Sequence, residues 1–568
     1  MRRERLLSRL LGSREPWDVL VVGGGATGLG TAVDAAARGY RTALVEAIDF
    51  AKGTSSRSTK LVHGGVRYLR QGNLGLVVEA LRERGRLLAN APHLVHNLSF
   101  VMPSYEWWEG PFYGAGLKVY DLLAGRLGLG PSRRLSRPEV LELLPTLEPA
   151  GLRGGVVYHD AQFDDARLAV TLARTLDDLG GAPVNGMEVV GLLKTHGLVA
   201  GVAARDAESG QVHEIAARAV VNATGVFADE LRRLDDPASR PLLSPSQGVH
   251  LVLDRAFLPG ASAILVPHTE DGRVLFAVPW HGRVVIGTTD TPVGRAEHEP
   301  RPLPAEIDYL LTHAARFLAR HPRPADVLSC FAGLRPLLAP ANAARPAAET
   351  AALARDHAIV VSRSGLVTVA GGKWTTYRQM GEDTVDQVAL LAGLEERPSP
   401  TAALRLHGAV GSGRPGELAP EEAAQAGGGA GEPAPAGLGR ARGAAAGSAA
   451  AAAGESAGAS GEPDWTVYGS DAPALAQLAA EHPEWGEALH PALPYRACEV
   501  IWAARHEMAR TVDDVLARRT RALLLDARAS AEIAPRVAAL LAGELGRDGD
   551  WQRREVESFR ALARGYWL

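Results

Sequence analysis

Six consecutive residues near the start of the chain, Gly23-Gly24-Gly25-Ala26-Thr27-Gly28, limit the fold more than any other segment. They follow a short apolar run at 18–22 that reads as a strand. They open a stretch that reads as a helix to about Arg38, with a second strand over 42–45. In that setting the spacing is G-x-G-x-x-G. Gly23 and Gly25 allow a tight turn and let backbone N–H groups approach a pyrophosphate at the helix start, with Thr27 in the same turn. Gly28 lets helix and strand pack closely. Glu46 ends the second strand, where a carboxylate bonds the adenosine ribose hydroxyls and repels a 2′-phosphate. Such a chain is expected to be an α/β protein with a parallel sheet that binds a dinucleotide.

Composition narrows the class without naming the reaction. The chain has 568 residues with 61 Lys+Arg against 65 Asp+Glu, a net charge of −4. That length implies two to four domains, and that balance argues against nucleic acid as a partner. Two cysteines, Cys330 and Cys498, cannot make a disulfide framework, so a reducing cytosolic setting is the default. No CxxC, Cys/His cluster or HExxH occurs, so no metal site is expected. No apolar run is long enough for an ordinary transmembrane helix. Residues 1–16 begin with MRRERLLSRLL, whose leucines share one side of a helical wheel and whose arginines share the other. This segment is expected either to rest on an anionic membrane or to pack as an arm on the body. Residues 411–463, and 425–463 above all, are mostly Ala, Gly, Ser, Pro and Glu, and read as a low-complexity linker. Helical periodicity returns over 464–568. There the basic run 518–521 reads as a solvated helix face beside Asp513 and Asp514.

Two further turns lie far along the chain. Residues 221–225 (VNATG) place a small-residue turn with Thr224 and Gly225 after an apolar strand. A strand at 367–370 leads into Gly371-Gly372-Lys373-Trp374-Thr375, where two glycines at a helix start again expose N–H donors. Three separated glycine turns suit a long cofactor better than a nicotinamide nucleotide alone.

The first turn, 54–69 (TSSRSTKLVHGGVRYL), 221–225, 286–290 (IGTTD), 333–337 (GLRPL) and 371–378 (GGKWTTYR) together resemble the FAD-dependent glycerol-3-phosphate dehydrogenase family. The resemblance runs in order from about Trp17 to Leu391 and resumes at 495–521. It implies a Rossmann-like FAD-binding domain of the glucose/amino-acid oxidase-like flavoprotein kind, assembled from separated segments of 17–395. A β-rich substrate domain would be inserted at about 80–150 and 240–355, with a helical C-terminal cap at 464–568. It also implies hydride transfer from C2 of sn-glycerol 3-phosphate to FAD, giving dihydroxyacetone phosphate, and electron transfer to a membrane quinone. The implied location is cytoplasmic, peripherally on the inner face of the cell membrane, and a homodimer is left open.

A phosphate dianion needs cations and forked donors, which points to Arg335 and Arg67, with Tyr68 beside it. Lys373 would hold negative charge on substrate or reduced flavin. Hydride loss from C2 requires a base for the hydroxyl proton, and His250 matches the family's active-site histidine. Thr54, Ser55, Ser56 and Lys60 form a loop expected at the pyrophosphate or flavin, with His63 and Gly64 under the ring. Each position has a plainer alternative: Arg335 could pair with a buried carboxylate, and His250 could be a satisfied core histidine. Asp290 could be a flavin-facing acid or only a turn residue. An oxidase using oxygen and an amine or amino-acid dehydrogenase of the same flavin superfamily are the rival enzymes. A nicotinamide-dependent dehydrogenase and a flavin-bound sensor without turnover stand further off.

Overall fold

The computed structural model describes residues 1–65, 73–267, 274–339, 357–410 and 464–568. The linker at 411–463 lies outside them. The first unit is an eight-stranded sheet with Trp17–Val22 at its centre. Thr42–Glu46 and then Ala182–Asn185 continue it in parallel on one side, and Val212–Asn222 and Val367–Gly371 on the other. Where they pair in parallel these strands are apolar and nearly all buried, as parallel strands covered on both faces must be, while the first half of Val212–Asn222 alternates between buried and exposed residues. The helices Ala26–Ala37, Asp165–Asp178 and Tyr377–Leu391 pack together over the sheet, and their apolar sides form one core with it. At Gly186 the chain leaves the parallel sheet, and Met187–Thr195 pairs with Leu198–Asp206 in an antiparallel ribbon that joins Val212–Asn222.

The second unit is a ten-stranded sheet. Val95–Ser104 and Gly154–Phe163 pair antiparallel along their whole length at its middle, and Ser246–Asp254 pairs with Arg283–Gly287 and Val327–Arg335 further on. Gly154–Phe163 carries this sheet past the boundary expected at 150. The C-terminal helices from Ala472–Glu481 to Gly549–Ala563 rest on the same sheet. Val252, Trp280, Val285 and Phe331 of the sheet share a core with Val500, Val515, Leu523 and Val537 of the helices. The C-terminal segment is also tied to the first unit, where Arg167 of the Asp165–Asp178 helix donates from Nη1 and Nη2 to Glu507 at 2.7 and 2.8 Å.

The N-terminal helix Arg3–Leu11 packs as an arm on the body, the second of the two roles expected for it. Leu6 and Leu10 are 0% and 2% exposed. Arg3 donates to Asp206 at 2.6 Å, Arg9 pairs with Asp177, and the terminal ammonium donates to the His506 carbonyl at 2.9 Å. Its arginines therefore face protein carboxylates, and its apolar side faces the core. Truncating a fully buried leucine leaves a cavity, so Leu6→Ala should lower the unfolding free energy of the full chain by about 2–4 kcal/mol. Denaturant unfolding checks this, and an unchanged midpoint would show that the arm is not held.

Candidate functional site

The three glycine turns converge on one slot of about 600 Å³. Gly23, Gly25 and Thr27 form one wall, Glu46 and Lys52–Ser55 another, and Thr224 and Gly225 a third. Gly371, Gly372, Lys373 and Trp374 close the far end beside Pro336. Gly23 has φ +113°, and a Cβ there would lie 2.5 Å from the Ala223 carbonyl oxygen. A Cβ on Gly28 would lie 1.9 Å from the Gly23 carbonyl oxygen, so Gly28 serves the turn from behind and does not line the slot. This cradle, which side chains would fill, fits a pyrophosphate approached by backbone donors.

Glu46 is tied to the turn it faces. Its carboxylate accepts from Gly24 N at 2.6 Å and from Ile48 N at 2.9 Å. Burial pushes its carboxyl above the ordinary range, and those two N–H donors oppose the shift. The 54–56 loop joins distant walls. Ser55 Oγ accepts from Ala26 N at 2.9 Å, and its carbonyl accepts from the Trp374 indole at 2.9 Å. Thr54 Oγ1 donates to the Leu334 carbonyl at 2.6 Å.

Several expected contacts sit elsewhere. Lys60 is fully buried behind the loop, where Nζ donates to Asp165 at 2.7 Å and to the Ser56 carbonyl at 2.8 Å. Burial lowers its ammonium to about 7 against the pull of Asp165. Lys60 is therefore a strut of this loop rather than a cofactor contact, and Ser56 supplies it with a carbonyl. His63 and Gly64 also lie outside the slot lining. The His63 backbone N–H meets Thr375 Oγ1 at 3.4 Å, and Gly64 N donates to Tyr120 at 2.9 Å. Arg67 and Tyr68 lie outside the described residues.

His250 and Arg335 come together on one face of two paired strands, Arg335 directly before the slot-lining Pro336. A Cβ on Gly248 would lie 2.3 Å from Arg335 Nη2, so the guanidinium covers Gly248. His250, two residues on, points to the same side of its strand. Arg335 donates to the Thr289 carbonyl at 2.9 Å and Thr288 Oγ1 at 3.0 Å, with Asp290 at 3.4 Å. Asp290 is thus the carboxylate that orients Arg335. The His250 ring stacks on Phe331 with 4.8 Å between centroids, and Nε2 lies 2.9 Å from Thr59 Oγ1. Nδ1 is buried without a hydrogen-bond partner. Burial, and then the Lys60 and Arg335 cations, lower its pKa well below the usual value, so the imidazole is neutral near pH 7.

The basic run 518–521 is buried, contrary to its reading as a solvated face. Arg519 donates from Nη1 and Nη2 to Asp49 at 2.5 and 2.8 Å, and Arg518 Nε donates to the same carboxylate at 2.5 Å. All three side chains are at most 1% exposed. Arg521 reaches Asp165 at 2.8 Å, joining Lys60. Asp49 follows Glu46 at the end of the same strand, so the C-terminal helices hold the turn next to this slot-lining acid. Sequence reasoning missed Asp49. Its only local signal is an acidic residue in an otherwise apolar turn, and its partners lie at the other end of the chain.

Residues 18–378 match the family model described as FAD dependent oxidoreductase, and 465–552 match the C-terminal domain of alpha-glycerophosphate oxidase. The mitochondrial glycerol-3-phosphate dehydrogenase of Homo sapiens is 38% identical over 589 residues, covering 98% of this chain and 74% of that protein. The corresponding protein of Arabidopsis thaliana is 40% identical over 560 residues, covering 96% and 85%. A crystal structure of glycerol-3-phosphate dehydrogenase from Bacillus halodurans complexed with FAD superposes with a TM-score of 0.73 at 30% identity, covering 99% and 97%.

Removing the Asp49 charge strands two buried guanidinium groups, so Asp49→Asn should cost about 3–5 kcal/mol of stability. It should also weaken FAD binding roughly tenfold, equivalent to about 1.4 kcal/mol. Glu507→Gln, which breaks the other buried pair at the seam, should lower stability and leave FAD affinity unchanged. Flavin fluorescence titration separates the two, and equal loss of FAD in both variants would refute a specific role for Asp49. Burial alone would raise Asp49, but Arg519 and Arg518 outweigh it and hold the carboxyl at about 2 against 3.8. Its stabilisation is complete above about pH 4 and is lost as pH falls through about 2, so acid unfolding should be steeper in the native protein than in Asp49→Asn.

Proposed function

The chain belongs to the FAD-dependent glycerol-3-phosphate dehydrogenase family, and from that premise we propose that it oxidises sn-glycerol 3-phosphate at C2 to dihydroxyacetone phosphate and passes the electrons to a quinone in a membrane to which it binds peripherally. The observation that carries the reaction is the placement of Arg335 and His250 on one face of two paired strands, with Arg335 directly before Pro336 of the dinucleotide slot. Bound FAD supplies the hydride acceptor.

The chain's own residues account for the rest. Arg335, oriented by Asp290, Thr288 and Thr289, offers a planar fork to the phosphate. Lys373, at the slot end, adds a second cation for the phosphate or the reduced ring. His250 takes the C2 hydroxyl proton. Its neutral ring hydrogen-bonds Thr59 through Nε2, which leaves the unpartnered Nδ1 as the atom that receives it. Packing between Phe331 and the 54–60 loop keeps water from competing for that nitrogen. A dianion docking on Arg335 offsets one of the two cations that depress His250, so the base strengthens when the right substrate is bound.

An anaerobic titration tests the reading. sn-Glycerol 3-phosphate should bleach the flavin band near roughly 450 nm, and plain glycerol should not. His250→Asn should retain FAD and slow bleaching by about 10²–10⁴-fold, the range for loss of a general base. Arg335→Gln should raise the substrate concentration needed. A flavin that stays oxidised would refute the substrate. Reoxidation that is faster with oxygen than with a quinone analogue would refute the acceptor and favour an oxidase.

A further inference from the structure

Lys60 stands in a left-handed backbone conformation, with φ +66°. A long side chain rarely holds that conformation, and it persists where surrounding contacts over-determine it. Here those contacts lie on both sides of Thr59. Ser58 donates to Asp165 Oδ2 from its N–H at 3.0 Å and from its hydroxyl at 2.7 Å. Lys60 Nζ donates to Asp165 Oδ1 and Oδ2 at 2.9 and 2.7 Å, and the Lys60 N–H donates to Ser58 Oγ at 3.0 Å. Arg521 holds the same carboxylate at 2.8 Å and the Ser56 carbonyl at 2.9 Å. Thr59, between two residues committed to Asp165, bonds His250 instead.

Among the described residues, only Thr59 hydrogen-bonds the His250 ring. The strand sets His250 in register between Gly287 and Phe331. Phe331 covers one ring face, 15° from parallel, and a Cβ on Gly287 would collide with His250 Cδ2. These contacts fix the plane of the ring and are blind to its tautomer. A neutral imidazole has one N–H and one lone pair, and the hydrogen bond made at one nitrogen sets which is which. The Thr59 hydroxyl can accept from Nε2–H or donate to a lone pair there. If it donated, Nδ1–H would be a buried donor with no acceptor among the described residues, close to the Lys60 and Arg335 cations. An orphaned buried N–H is the costlier arrangement. If Thr59 accepts, Nδ1 keeps its lone pair, which those cations do not oppose. The Thr59 hydroxyl hydrogen is not trapped in turn, because Thr59 is only half-buried.

We infer that Thr59 is a positioning residue for the base: held by the Ser58–Asp165–Lys60 clasp, its hydroxyl accepts from His250 Nε2–H and so keeps the bare nitrogen, Nδ1, for the substrate hydroxyl. The inference rests on the proposed role of His250 and deepens it. As the C2 hydroxyl O–H bond breaks and Nδ1–H forms, the hydride leaves to the flavin and the ring becomes a cation. The Nε2–H donor to Thr59 is then charge-assisted and its bond strengthens. The clasp also gives Arg521, near the far end of the chain, a line to the base through Asp165 and this loop.

The test uses the full chain loaded with FAD and isotope-labelled at the histidine ring nitrogens. His250 is identified in the magnetic resonance spectrum by the signals that disappear in His250→Asn. The native protein should show His250 protonated at Nε2 and bare at Nδ1, and Thr59→Val should show both tautomers. Rapid-mixing anaerobic reduction by sn-glycerol 3-phosphate then compares the variants. Valine keeps the shape and removes the hydroxyl, so the limiting rate of flavin bleaching should fall by about 10–100-fold, part of the full effect of a general base. The substrate concentration at half-maximal rate and the affinity for FAD should stay as in the native protein. Thr59→Ser restores the hydroxyl and should recover the rate. A native His250 protonated at Nδ1 would overturn the inference whatever the rates. Native-like bleaching in Thr59→Val would overturn it too, as would a serine variant as slow as the valine one, since the effect would then be packing. If the valine variant loses FAD, the native spectrum and the serine variant decide. If sn-glycerol 3-phosphate leaves the native flavin oxidised, the proposed reaction fails, and the spectrum alone still shows whether Thr59 sets the tautomer.

Discussion

Asp49 is the point on which both ends of this chain bear. A carboxylate taken fully out of water is tolerated only if its charge is matched and its oxygens are satisfied. Here two arginines from the C-terminal helices and the Asn185 amide do so. The same seam matches Asp165 with Lys60 and Arg521, and Glu507 with Arg167. All but the Lys60–Asp165 pair tie the first unit to the C-terminal helices. The C-terminal helices are therefore part of the cofactor loop's support, and the loop at 49–60 has its shape fixed from behind by charges it does not own.

That arrangement explains what was readable in the sequence. Gly23, Gly28, Glu46, Thr224 and Gly371 carry their meaning locally, because a tight turn after an apolar strand needs those residue types wherever the rest of the chain goes. Thr54, Ser55 and Lys373 were legible by family resemblance, and they line the slot with those glycines. The 518–521 run was misread because the local rule for a cation is solvation, and only a partner hundreds of residues away reverses it. Lys60, expected at the cofactor, is taken up instead by the buried Asp165. Gly154–Phe163 gave no strand signal by alternation because nearly every residue in it is buried.

The two amphipathic helices show the same limit from the other direction. Periodicity picks out the N-terminal helix well, since its leucines and arginines separate cleanly, and its apolar side is indeed covered. What covers it is protein, because Asp177 and Asp206 stand ready for its arginines. Glu109–Ala124 has no such separation of apolar and charged sides. Its weak periodicity is the informative property. A helix apolar on both sides has one side left over once the body is packed.

The active-site pair raises a question of degree that the fold answers. An imidazole pressed between burial and two cations is a poor base in the empty protein, whereas a proton acceptor serves best when its pKa lies near the working pH. Removing Lys60 from its vicinity would correct this, but Lys60 is committed to Asp165 and the loop. Arg335 is the adjustable charge, because its site is where a phosphate dianion binds in the proposed reaction. Substrate binding then does two things through one contact: it fixes the molecule in place, and it relieves the field that held His250 unprotonated. A polyol without a phosphate could enter the site and would still meet a weak base. Discrimination against it is thus expressed in the rate of proton removal as well as in binding.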